Sequence, residues 1–512
     1  MTFFDWLTNV NNDINTFVWV TLGLALLIGT GVLMTCLTKF FQVVHIRHWL
    51  KQTLGSLLDK KISAHTGEKA SISQFQALCT ALAATVGVGN IAGVSAALIA
   101  GGPGAIFWMW GAAFFGMMTG YAENVLGIYY RRRVNGAWAG GAMYYLRDGL
   151  GAKRGCKSIG NILAVLFAWF TVLASFGIGN MGQINALVVH MESAFPLPSL
   201  SGIVLYEEIT LYALLVGAVL LILTAVILLG GLQRIATVAE KIVPTMIILY
   251  VLGSLWIVLV NHKQIGPAFG AILSGAFSGR AARGGAMGIA LKQVITCGFK
   301  RGVFSNEAGL GSSVIVHCHS NVREPARQGM WSIFEVFIDT MVMCTMTALV
   351  ILTGGVVDPH TGRSPAGGGE DITLVAAAFR NTYGTAGEMF VAVSVLLFAF
   401  ATVLGWSQYG IKAAEYLGGD RAKRVYTVVF VALTLSGALL TSSLAWDISD
   451  TFNGLMMIPN LIGVLVLSGQ VRRITQNYVD RRIRHKNIPP MLSYDPRIQQ
   501  QMAADPDSES QQ

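Results

Sequence analysis

The chain has 512 residues, of which 53% are hydrophobic and only 12% charged, with a formal net charge of +9. A water-soluble chain carries about 25% charged residues, so this one cannot cover itself with a solvated surface, and a string of soluble domains is excluded. In a membrane protein the positive charge bears on orientation rather than on nucleic acid.

The N-terminal segment MTFFDWLTNVNNDIN carries Asp5 and Asp13 and no basic cluster, so it does not read as a cleavable signal peptide. Stretches of about 20 apolar residues mark membrane-spanning helices. Eleven are predicted, at residues 16–37, 75–101, 105–130, 159–190, 210–230, 242–261, 268–297, 330–354, 386–412, 424–441 and 446–468. The connections 38–74 and 131–158 are basic, and Gly141 to Leu150 reads as a short amphipathic helix on the membrane surface. With the N-terminus outside, about 30 of the 36 Lys and Arg residues fall in inner segments such as YYRRRVNGAW, FKRGVFSNEAG and VRRITQNYVDRRIRHK; the opposite orientation inverts this. The C-terminus is then cytoplasmic, and the polar tail after Pro489 reads as disordered.

The six cysteines (Cys36, Cys79, Cys156, Cys297, Cys318, Cys344) show no CxxC spacing, and His317-Cys318-His319 alternates too tightly for a metal site. No P-loop, HExxH or GxSxG motif is present, which argues against ATP hydrolysis and against the commonest hydrolases. No cofactor is expected.

The second span reads ALAATVGVGNIAGVSAALIAGGPG, with Thr85, Gly87, Gly89 and Asn90 at its middle. Glycine in a membrane helix often marks close packing. Here the neighbouring polar residues predict a broken helix. Freed carbonyls then suit a cation, and freed amides at the start of the second half suit a carboxylate. A second break is predicted in the seventh span, at Gly279, Gly284, Gly285 and Gly288. Breaks five spans apart, with one extra N-terminal span, predict an all-α inverted repeat of five plus five helices. Its parts are 1–74 (extra helix and loop), 75–262 and 263–470 (the repeats) and 471–512 (tail).

The segments GNIAGVSAALIAGGPGAIFWMW, YAENVLGIYYR, GIGNMGQINAL, RGVFSNEAGLGSS, FIDTMVMCTMTALVIL and FAFATVLGWSQYG closely resemble the alanine or glycine:cation symporter family. The resemblance implies a leucine-transporter-type fold and sodium-driven uptake of a small neutral amino acid at the plasma membrane, by a protein functional as a monomer. Departures are Gly111, where an aliphatic residue is expected, Ala401, where serine is frequent, and the charged Arg280 and Arg283.

By resemblance, the backbone carbonyls of Ala83 and Val86 face the Phe398 carbonyl and the Thr402 hydroxyl around sodium. Residues 398, 401 and 402 share one helical face. Thr402 has an alternative, a bond to its own backbone one turn earlier. The substrate carboxylate is placed at the Gly87, Val88 and Gly89 amides, with Asn90 orienting the loop. Gln183 contacts the substrate or joins helices, and Gly284, Gly285 and Gly288 frame the side-chain pocket. Asp339 joins the ion path or bonds neighbouring helices. Glu123 is expected in a salt bridge with Arg131–Arg133, and Glu307 in a cytoplasmic gate or cap. The alternatives are a glutamine- or proton-coupled symporter of the same fold, or a channel.

Overall fold

The computed structural model describes residues 3–58, 71–134, 136–206, 209–277, 287–357, 373–439 and 443–504. These are helical apart from loops and two short hairpins, Arg132–Val134 with Ala137–Ala139 and Val204–Tyr206 with Ile209–Thr210. Six helices are long and apolar enough to cross a membrane alone, and eight if each of two bent pairs counts as one span. The outward faces are apolar, with Leu229, Val428 and Ile222 among the exposed side chains, as lipid contact demands.

The first span is one long helix, with a π-helical stretch at Phe17–Leu22 before Gly23–Leu37. The second begins at Gln74 behind a capping box: Gln76 N donates to Ser73 Oγ, and Ser73 N to Gln76 Oε1, both at 3.1 Å. Helices Gly104–Tyr130, Leu211–Leu228 and Gly231–Val260 are the third, fifth and sixth spans. The fourth, Lys157–Ala194, contains a π-helical stretch at Gly177–Met181. The eighth, Pro325–Thr353, contains one at Phe337–Cys344. Spans nine and ten are two helices within the run Thr385–Leu439, separated by a tight kink at Gly418 and Gly419, whose backbone is non-helical; Gly419 has φ of +63°. Glycine takes that conformation without a Cβ clash.

The seventh span differs most from expectation. Ile265–Phe277 is a helix packed on the third span, and a longer one, Met287–Asn306, follows. Lys300 pairs with Asp450 at 3.1 Å and contacts Asn15, near the starts of the eleventh and first spans. Ser320, beyond the helix, pairs with Ile72, at the start of the second span. Odd and even spans start on opposite faces, so residues 287–320 cross between the faces. Lys300 and Arg301 therefore belong to a span, not to an inner loop. Among the described residues this span breaks at Glu307–Ser313, where Glu307, Gly309 and Gly311 have φ of +55°, +96° and +74°. Gly279, Gly284 and Gly285 lie outside the described residues, and Gly288 is in the first turn of Met287–Asn306.

Three further expectations are corrected. Glu123 makes no salt bridge with Arg131–Arg133. It accepts from Asn460 Nδ2, which also donates to Gly309 O at 2.8 Å. Arg131 instead donates to the carbonyls of Cys318, Ser320 and Val322, with its guanidinium 3.8 Å from the Trp138 ring centre. Residues 142–150 do not lie on the membrane surface. Ala142, Met143, Tyr145, Leu146 and Leu150 are buried, and Tyr145 donates to Asn460 Oδ1. The described part of the tail, to residue 504, is folded onto the spans, and residues 505–512 lie outside the described residues. Ser468–Arg482 packs against the third and eighth spans, Arg481 and Arg482 both donate to Glu324, Tyr494 N bonds Tyr129 O at 3.1 Å, and Pro496–Ala504 is helical. Apolar Leu492 and Ile498, both buried, anchor a segment whose average composition is polar.

Candidate functional site

The second span breaks between Gln74–Thr85 and Val88–Gly101, which meet at 62°. Val86 leaves the helical region (φ −79°, ψ 86°), and a 3₁₀ turn at Val88–Asn90 restarts the chain. Breaking a helix here frees backbone groups far from water, and each must find a partner. Side-chain amides supply two. Gly87 N donates to Asn90 Oδ1 at 2.9 Å, and Val88 N to Gln183 Oε1 at 3.4 Å. The expected carboxylate cradle is thus partly occupied by the protein's own oxygens, because burial leaves no water to do it. Gln183 is held in turn by donating to Ile178 O at 3.1 Å, a carbonyl of the π-helical stretch. The wide turn releases that acceptor.

The ninth span crosses the break closely. A Cβ added at Gly405 would sit 2.6 Å from Ala84 N, and one at Gly87 would sit 2.4 Å from Thr402 Oγ1. Only bare backbone permits this approach. It brings Thr402 beside the end of the first half-helix, where Ala83 and Val86 are fully buried. Thr402 Oγ1 donates to Phe398 O at 3.0 Å, so the backbone-bonded alternative is present. A hydroxyl that donates its one hydrogen still offers lone pairs to a cation. Thr85 Oγ1, in the same turn as Ala83 and Val86, is buried without a hydrogen-bond partner. No cluster of three or more His, Cys, Asp or Glu suited to a metal occurs among the described residues. The oxygens at the break are carbonyls and hydroxyls, which suit a hard monovalent cation rather than a transition metal.

Another wall comes from the end of helix Met287–Asn306; of the expected glycines, Gly284 and Gly285 lie outside the described residues. Phe304's ring lies 3.6 Å from the position of a Cβ on Gly89. Asn90 Nδ2 donates to Ser305 Oγ at 2.9 Å and to Asp339 Oδ1 at 2.7 Å. Asp339 bonds neighbouring helices, the second of the two roles expected for it. Glu307 is buried in the second break and accepts from Ser312. Val86, Gly87, Val88, Asn90, Gln183, Phe398 and Thr402 therefore come together, with Ala83 one turn away along its helix, whereas the described Gly288 stands in the first turn of Met287–Asn306, at the far end of that helix from the Glu307–Ser313 break.

Phe304, Ser305 and Thr85 receive no site role from the sequence, although each stands in a segment it singles out. The signal for the first two was the φ-demanding sequence NEAGLG immediately after them. His317 and His319 are structural: His317 bonds Glu335 and Gln328, and His319 Nδ1 lies 2.8 Å from Ile315 O.

Residues 4–491 match the sodium:alanine symporter family. The chain is 43% identical over 474 residues to the sodium/alanine symporter AgcS of Methanococcus maripaludis, covering 92% of this chain and 97% of that one. It is 34% identical to the probable sodium/glutamine symporter GlnT of Bacillus subtilis, covering 91% and 90%. Its fold is shared with MhsT, solved in complex with L-phenylalanine, at a TM-score of 0.53 and 14% identity over 80% of this chain and 99% of MhsT.

Proposed function

From the premise that this chain belongs to the sodium:alanine symporter family, a family of multi-pass membrane transporters, we propose that it carries alanine or glycine into the cell together with sodium. The observation that carries the reading is the packing of the broken second span against Thr402 and Gln183. Sodium is held by the carbonyls of Ala83, Val86 and Phe398 and by the Thr402 hydroxyl. Its charge is met there by oxygen dipoles in a water-poor site, where such contacts are strong. The amino acid's carboxylate takes the Val88 and Gly89 amides, displacing Gln183 Oε1, and the freed Gln183 amide turns to the substrate. The small side chain lies towards Phe304.

The transporter works as a monomer in the plasma membrane, N-terminus outside and C-terminus cytoplasmic, with no bound cofactor. Two five-span repeats, residues 75–262 and 263–470, move against each other around the site. Glutamine is the second substrate to test, because a relative at 34% identity is named a probable sodium/glutamine symporter.

The test is uptake of labelled alanine into proteoliposomes under an inward sodium gradient, with voltage clamped and the proton gradient collapsed. Sodium-dependent uptake with trans-stimulation by unlabelled alanine is expected. Uptake driven by protons without sodium, or flux without trans-stimulation, overturns the carrier assigned here. Competition by all neutral amino acids ranks alanine, glycine and glutamine.

A further inference from the structure

We infer that Asp339 is a positioning residue for transport: its carboxylate fixes the orientation of the Asn90 carboxamide, which holds the first break in its ligand-accepting shape. The inference rests on the functional reading above and deepens it.

Asn90 works at both ends. Its Oδ1 accepts from Gly87 N at 2.9 Å, and its Nδ2 donates to Asp339 Oδ1 at 2.7 Å and Ser305 Oγ at 2.9 Å. Longer approaches of Nδ2 to Asp339 O (3.3 Å) and Cys344 Sγ (3.5 Å) are secondary. Turning the carboxamide over would set its NH₂ against Gly87 N–H and its oxygen against a carboxylate. Both contacts are repulsive, so one orientation survives.

The hydroxyls around Asp339 are fixed by the same logic. An amide nitrogen can only donate. Ser305 Oγ receives a hydrogen from Asn90, so its own hydrogen goes to Asp339 Oδ2 at 2.8 Å; Cys344 Sγ, at 3.3 Å, is the weaker partner. Thr340 Oγ1 receives one from Asn306 Nδ2 at 3.0 Å and gives its own to Asp339 Oδ2 at 2.8 Å. Asp339 thus accepts three hydrogens and is asked to donate none, which is the pattern of an ionised carboxylate. It is fully buried, and no ion pair to it forms among the described residues. Charge-assisted acceptance is what makes this carboxylate a stiffer anchor than a neutral group.

The anchor serves both breaks. Ser305 and Asn306 are the last two residues of Met287–Asn306, and Asn306 Oδ1 also accepts from Ala308 N at 3.0 Å, inside the second break. Asp339 on the eighth span therefore ties the 86–90 break to the 307–313 break through two asparagines.

Asparagine cannot replace it. In Asp339→Asn an amide hydrogen faces either the Asn90 NH₂ or two hydroxyls that already point their hydrogens at it. Exchanging the pair, Asn90→Asp with Asp339→Asn, reverses the donor and acceptor while keeping an acceptor for Gly87 N–H.

The experiment uses the full-length protein with two readouts. Amide hydrogen exchange over residues 82–94, in detergent without substrate, reports the break. Proteoliposome uptake gives the half-saturating sodium and alanine concentrations separately from maximal rate. Asp339→Asn and Asn90→Ala are each expected to speed exchange at 82–94 and to raise half-saturating sodium about tenfold, with the double variant no worse than either, as for residues sharing one hydrogen-bond network. The exchanged pair recovers protection. Should Asp339→Asn not insert, Ser305→Ala removes one link of the same chain, with a smaller change in the same direction expected. Unchanged exchange in properly inserted Asp339→Asn or Ser305→Ala, losses that multiply in the double variant, or no recovery in the exchanged pair overturns the inference. If the parent takes up no alanine with sodium, the functional reading fails alone, because the exchange measurements still decide the relay.

Discussion

Replacing Gly87 by alanine tests the close crossing on which the ion site depends. The backbone at Gly87 is extended (φ −130°, ψ −157°), a conformation any residue adopts, so the substitution carries no backbone strain. Its effect is steric. The new Cβ would lie 2.4 Å from Thr402 Oγ1 and 3.4 Å from Gln183 Oε1. The first contact is about 1 Å too short for van der Waals packing. Thr402 cannot turn aside easily, because its β-branched side chain has few rotamers and its hydroxyl is bonded to Phe398 O at 3.0 Å. Either the ninth span moves or the hydroxyl leaves its position. Overpacking of this kind costs about 1–3 kcal/mol, equivalent to roughly 5- to 150-fold in an equilibrium. We expect Gly87→Ala to raise half-saturating sodium for alanine uptake within that range. Two neighbours serve as controls: a Cβ at Gly89 meets only the Phe304 ring at 3.6 Å, and one at Gly93 meets nothing within 4 Å. Gly93→Ala should therefore keep sodium affinity close to that of the parent, whereas Gly89→Ala, at an amide assigned to the substrate carboxylate, should change half-saturating alanine more than half-saturating sodium. The assay is uptake in proteoliposomes across a sodium titration, paired with sodium-dependent thermal stabilisation in detergent. If all three substitutions behave alike, the close approach of Gly87 to Thr402 does not govern ion binding and the argument fails.

Thr402→Ala should raise half-saturating sodium far more than Thr402→Ser; equal, parent-like values would leave the hydroxyl only its bond to Phe398 O. Glu324→Ala strands Arg481 and Arg482, and losing such partly buried charged hydrogen bonds should lower stability by about 1–3 kcal/mol. The melting temperature should fall by several degrees, whereas Glu388→Ala, at the exposed Arg380 pair, should leave it unchanged. His319, in the connection before the eighth span, has its pKa pushed down from 6.5 to about 3 by burial, with Lys412 adding repulsion. The unfolded chain therefore takes up a proton near pH 6.5 that the folded chain refuses until about pH 3, and stability falls as pH drops through that window. His319→Gln should flatten the decline in melting temperature between pH 7 and 5, and an unchanged slope would show that other groups cause it.

The first break was legible because Thr85, Gly87, Gly89 and Asn90 contradict the apolar run around them, and such local conflicts show without a partner in view. The break at Glu307–Ser313 was overlooked for a related reason. GRAARGGAMG is richer in glycine than SNEAGLG, but composition does not reveal φ, and the left-handed residues are Glu307, Gly309 and Gly311. Counting basic residues also drew the helix end bearing Lys300 into an inner loop, although its partner Asp450 stands 150 residues away in the chain. Contacts between spans leave little trace in one sequence. Nothing near Glu123 announces Asn460, and nothing near Asn90 announces Ser305. The tail misled because two buried apolar side chains, Leu492 and Ile498, suffice to dock a segment that is polar on average.

The π-helical stretch at Phe337–Cys344 also sets the phase of the eighth span. Asp339 reaches Asn90, and Thr347, eight residues later, receives or gives a hydrogen bond with Tyr250 at 2.8 Å. In a regular helix two such positions point about 80° apart. One surplus residue absorbed in a wide turn narrows this to about 20°, so one side of the span serves both partners. Deleting a single residue between 340 and 346 would let the wide turn close to a regular one with both partners still in phase, whereas adding one there would rotate one half against the other by about 100°. In this segment the spare residue keeps two partners in register, and a chain lengthened by one would be inserted as before but wired to the wrong neighbours.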